Sequence, residues 1–248
     1  MRTLVPWLWL AGAVQVAIVA ANFVLPKKLR CREALTRVSP IIREVFVVHW
    51  VYIAFIVAAY LPVGCAWLVA SRAGLSPMGF QEPIVLLTAV HFHFAGFAAP
   101  ILAAATTAAL EKTKIRGCTI FKAVAIGVVC GPGLLAAGFL TGPHLKLVAA
   151  LLIVGSEIGL ALFFLRATRQ LQPRPAQVLV VLSAASVLFA MVLVAVWAIG
   201  DFRLKPLVDL AAMARFHGTA NAIGFTTCGL VGWTLAARSG VLGRGGAS

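Results

Sequence analysis

Acidic side chains are scarce in this chain. Only 7 Asp and Glu stand against 21 Lys and Arg in 248 residues, and charged residues of both signs make up 11%. A soluble domain averages about 25% charged residues, so the polar surface of an aqueous globule is missing. Metal-ligand spacing is missing too. Five cysteines, an odd number, include no CxxC pair, which argues against a zinc module and a disulfide framework. Cys31 and Cys118 fall in basic loops, while Cys65, Cys130 and Cys228 fall in apolar runs where cysteine acts as a small hydrophobe. No metal and no other cofactor is expected. The shortage of acids leaves a formal charge of +14. Those basic residues lie between apolar runs, however, so they read as topogenic residues facing anionic headgroups, and nucleic acid is not an expected partner.

What the chain has is hydrocarbon: 62% hydrophobic residues and a mean hydropathy of +1.01. A helix needs about 20 apolar residues to cross a bilayer. Seven runs qualify, at about 4–25, 45–70, 84–110, 119–141, 145–166, 177–200 and 208–236. The first has only Arg2 before it and "KKLRCR" after it, so it reads as a retained anchor with its N-terminus outside rather than a signal peptide. In that register fifteen basic residues fall on the inner side and five on the outer side, with Arg215 inside the last run. Such a bias supports both the span count and the orientation. The expected fold is all-α: a polytopic membrane bundle of seven transmembrane helices in the cell membrane, N-terminus outside and C-terminus cytoplasmic. Residues 1–236 form one domain, and 237–248 read as a disordered tail. In "SPIIRE", Ser39 as N-cap and Pro40 at the first helical position predict an interfacial helix over 33–44.

Ionisable groups inside such runs are functional candidates, because burying them is costly unless they are paired. Two histidines interrupt "PIVLLTAVHFHFAGFAAP", and "GSEIG" and "RFHGTAN" carry Glu157, Arg215, His217 and Asn221. At 1.5 Å per residue His91, His93 and His217 lie roughly 10–14 Å below the outer surface, with Glu157 deeper. His49 is near the inner edge and reads as an interface residue. Residues two apart on a helix point about 200° apart, so only one of His91 and His93 can face a narrow cavity. The other is expected to face a different helix or a backbone carbonyl. His217 and Asn221, four apart, share one face. Arg215 is expected to pair with an anion or to snorkel to the headgroups. Gly155 and Gly159 around Glu157 form a GxxxG that lets a neighbour approach. "CGPGLL" predicts a break in the fourth span, and Pro62 and Pro100 predict kinks.

At "AVHFHFAGFAAP" (89–100) and "FHGTANAIGF" (216–225) the sequence resembles the YndJ-like family of bacterial membrane proteins. The resemblance implies a multi-span protein, sometimes labelled a transporter, in which His91, His93, His217 and Asn221 are the residues to test. A rhodopsin is excluded, because the last run holds no lysine for a retinal Schiff base and Arg215 cannot replace it.

The function these residues favour is an intramembrane enzyme acting on a lipophilic small molecule by acid–base chemistry, of cyclase or isomerase type. Glu157 is the candidate acid, and His217 or a cavity-facing histidine (His91 or His93) is the candidate base. Asn221 orients the substrate, and Arg215, Gly96 and Gly218 are expected to contact it. A small-molecule or proton-coupled transporter is an alternative. So are a haem- or metal-binding membrane protein, against which the spacing of His91 and His93 speaks, and a purely structural subunit. Apart from the lipophile, membrane lipids are the expected partners, and the oligomeric state is not encoded legibly.

Overall fold

A computed structural model describes residues 51–112 and 118–239. The first apolar run, the interfacial helix expected over 33–44 and residues 240–248 lie outside the described residues. Helix α1 is Val51–Arg72. Helix α2, Ile84–His93, passes through a π-helical turn at Phe94–Ala98 into α3, Ala99–Lys112. Then come α4, Cys118–Thr141, α5, Pro143–Thr168, and α6, Arg174–Phe202. The last rod begins as α7, Leu210–Ala212. It continues through π-helical stretches at Met213–His217 and Ala220–Thr227 and ends as α8, Cys228–Arg238. It therefore runs to Arg238, just into the expected tail. No strand occurs among the described residues. In an apolar solvent every backbone amide needs a partner within its own segment, and this overrides the low aqueous helix propensity of so many valines.

Among the described residues, four helices are long and apolar enough to cross a membrane: Ile84–Leu110, Ile120–Thr141, Pro143–Thr168 and Arg174–Phe202. Their outward faces are hydrocarbon, with Val148, Leu162, Val178, Phe189 and Val192 all exposed. The interior is hydrocarbon as well, built on Leu102, Phe121, Leu160, Phe164, Val180 and Val187. A bundle apolar inside and outside cannot be held by hydrophobic burial alone. Close packing over small residues takes over. A side chain at Gly131 would collide with Ile153, and one at Gly159 with Val124, so α4 and α5 touch along a glycine seam. Of the two glycines flanking Glu157, Gly159 makes the close contact while Gly155 meets nothing.

Three connections gather at one end of the bundle. Gly142 alone, at φ 141°, joins α4 to α5. Lys146 near the start of α5 pairs with Asp201 near the end of α6 at 2.6 Å, and His144 meets Phe202 edge-on. Phe80, in the α1–α2 connection, meets Phe139 of α4. This will be called the Gly142 end.

The break expected at "CGPGLL" is absent, and α4 runs through Pro132. Pro132 has no N–H to donate, and the helix is repaired from outside. The Tyr60 hydroxyl donates to Val129 O at 2.9 Å and accepts from Gly133 N–H at 3.2 Å, so a neighbouring side chain is spliced into the ladder. Pro62 lies inside α1 without ending it. Before Pro100 the helix widens instead, with Ala99 N–H reaching back five residues to Phe94 O.

Candidate functional site

A cavity of about 430 Å³ lies between α1, the α2–α3 rod, α4, α5, α6 and the last rod, within the range of small-molecule sites. At the Gly142 end its walls are Trp67, Met78, Phe80, Phe139 and Trp197. Farther in, His91, Glu157, His217, Asn221 and Thr226 face it from three separate rods, among Phe92, Phe94, Ile153, Met191 and Phe225.

The two histidines of "HFHF" diverge. His91 lines the cavity, and its Nε2 is enclosed with no hydrogen-bond partner among the described residues. His93 does not line it. Its Nδ1 donates to Ala89 O at 2.7 Å, and its Nε2 lies 3.8 Å from Cys65 Sγ. That carbonyl bond assigns the proton to Nδ1. The helical 200° between them accounts for the split.

His217 and Asn221 form one unit. His217 Nδ1 donates to Ala190 O at 3.2 Å, which leaves Nε2 to accept from Asn221 Nδ2 at 3.1 Å. The same Nδ2 also donates to His217 O at 3.1 Å. The rod is widened around this pair: Gly218 N–H reaches Met213 O, and Cys228 N–H reaches Ile223 O. Side chains occupy the displaced carbonyls. Ser183 Oγ donates to Phe225 O at 2.6 Å, and Thr227 Oγ1 to Ala222 O at 2.8 Å. π-helical turns recur at functional sites, and here all three lie in the two rods that carry His91, His217 and Asn221.

Glu157 is 5% exposed, and its Oε2 has no hydrogen-bond partner among the described residues. Arg215 is not its partner. It is exposed, does not line the cavity, and lays its guanidinium over the Phe216 ring at 5.5 Å. Gly218 lines the cavity, but Gly96 does not. A side chain at Gly96 would strike the Tyr60 ring, so that glycine serves helix packing. Sequence reasoning missed Thr226, which is fully buried, lines the cavity and leaves Oγ1 unpartnered. In an α-helix Asn221 and Thr226 would point about 140° apart. The π register, in which residues five apart are bonded, brings both to the cavity. Among the described residues no three His, Cys, Asp or Glu side chains are grouped to hold a metal ion.

These features define a helical, multi-pass integral membrane protein with a mostly apolar internal cavity and a few buried polar groups. The chain belongs to the YndJ-like protein family, whose model matches residues 1–225. It is 27% identical over 180 residues to "Uncharacterized membrane protein YndJ" of Bacillus subtilis (strain 168), a match covering 71% of this chain and 31% of that protein. The chain thus spans under a third of that relative's length. No solved structure matches.

Proposed function

We propose that this protein is a seven-span enzyme that binds a lipophilic small molecule in the cavity and rearranges it by proton transfer. In this reading α1 and the last rod are the second and seventh spans, residues 4–25 are the first, and the Gly142 end faces outside. The observation that carries the reading is that Glu157 and His91 line one apolar cavity from separate helices, while Glu157 Oε2 and His91 Nε2 have no hydrogen-bond partner among the described residues. Unmade hydrogen bonds in such a place are costly, and a substrate would complete them.

In the proposed cycle the carboxyl of Glu157 gives its proton to an alkene carbon or epoxide oxygen of the substrate. His91 Nε2, nearer the Gly142 end, removes a proton from a carbon farther along the substrate, to which the electron deficiency has passed. A C–C, C–H or C–O bond is exchanged, no atom is lost, and the product is an isomer. His91 then releases its proton to solvent, and Glu157 regains one from solvent before the next cycle. His217 has both ring nitrogens engaged, so it serves with Asn221 to position the substrate.

Transport draws less support, because the broken helix it would have used is continuous. A three-histidine metal or haem site draws less too, because His93 stands outside the cavity.

The test uses reconstituted protein in D₂O with the apolar extract of cell membranes. A lipophile that gains carbon-bound deuterium without other change in composition is expected, and E157Q and H91A should lower the rate by at least about a hundredfold. H93F should retain it. Variants that exchange as fast as the native protein, or no exchange at all, would overturn the reading.

A further inference from the structure

The polar atoms of the cavity sort by whether they are already satisfied. Thr88 Oγ1 donates to Ile84 O, and His217 and Asn221 are bonded to each other and to Ala190 O. Among the described residues, His91 Nε2, Glu157 Oε2 and Thr226 Oγ1 are enclosed without a hydrogen-bond partner. They also sort by depth. His91 follows Ile84 by seven residues, about 10 Å from the Gly142 end. Glu157 follows Pro143 by fourteen and Thr226 follows Leu210 by sixteen, about 21–24 Å in. The part of the cavity nearest the Gly142 end is walled by Trp67, Met78, Phe80 and Trp197.

Glu157 and Thr226 therefore lie at the inner end of an apolar passage, with His91 partway along it, the reverse of the order a bilayer lipid would meet. Among the described residues no Lys or Arg lines the cavity, so an anionic head would be stripped of water with no countercharge from them. A cationic head would meet only Glu157, and that ion pair would have to offset the desolvation of both charges. An uncharged oxygen needs only hydrogen bonds, and the carboxyl of Glu157 with the hydroxyl of Thr226 can supply both donor and acceptor.

We infer that the cavity takes a lipophile with one uncharged oxygen function, an alcohol, carbonyl or epoxide, which enters oxygen first and is held at its inner end by Glu157 and Thr226. This rests on the reading of the cavity as a ligand site and adds Thr226 as a recognition residue.

The tryptophans at the other end provide the readout. An ω-bromoalkanol seated oxygen first places its bromine beside Trp67 and Trp197, where the heavy atom quenches their fluorescence. With protein in nanodiscs, saturable quenching is expected from the ω-bromoalkanol and not from the ω-bromoalkylamine or ω-bromoalkyl phosphate of the same chain. The 2-bromo isomer should quench less, and W67F/W197F should remove the saturable component. T226V should weaken binding about tenfold, equivalent to one hydrogen bond, while T226S, which keeps the hydroxyl, should bind as the native protein does. Tighter binding of the amine or phosphate, stronger quenching by the 2-bromo isomer, or T226V binding like T226S would overturn the inference. Alkanol binding without deuterium exchange would uphold it and defeat the acid–base reading. Exchange in a lipophile while the alkanol fails to bind would do the reverse.

Discussion

Tyr60 shows how much one hydroxyl can settle in a membrane. It accepts from Gly133 N–H and donates to Val129 O, so removing it leaves both backbone groups without water to replace it. Tyr60→Phe should destabilise the protein by about 1–3 kcal/mol, readable as a lower unfolding temperature in mild detergent. His93 makes the opposite case. Its ring bonds its own helix at Ala89 O, so His93→Phe should leave alkanol affinity within about twofold of native, as the quenching titration would show. Helical geometry showed that His91 and His93 must separate, but not which one turns inward. That choice depends on Gly64, against which the His93 ring packs, and no periodicity within the third apolar run carries that information.

Elements contribute through close approach. A side chain at Gly138 would lie 2.6 Å from the backbone of Lys146, and backbone cannot yield as a flexible side chain can. Gly138→Ala should therefore cost about 1–3 kcal/mol, again read by thermal unfolding, whereas Gly155→Ala, with nothing nearby, should be close to neutral. The glycines were visible in the sequence, but which of them meet a neighbour depends on helix rotation. Pro132 was a fair signal for a break, since it removes an amide hydrogen. The repair comes from Tyr60, more than seventy residues away in the chain, and local reasoning has no access to it. Thr226 was hidden for a related reason. Its place in the cavity depends on a widened helix, while the face arithmetic assumed 100° per residue. Of the three π stretches, only that at Phe94–Ala98 precedes a proline.

At the scale of the molecule, apolar composition and run length made helices and membrane location legible, because a bilayer leaves the backbone few alternatives. The cost of intramembrane polar groups made Glu157, His217 and Asn221 worth naming. The cavity itself was not legible, since its volume follows from how aromatic side chains of distant segments fail to fill one space. The central claim is that His91, and not His93, shares that space with the last rod. It is tested most directly by cross-linking in native membranes, on a background in which all five cysteines are replaced. With a short bis-maleimide, H91C/H217C should give an internally bridged peptide pair by mass spectrometry, and H93C/H217C should not. Bridging from 93 in place of 91 would contradict the account.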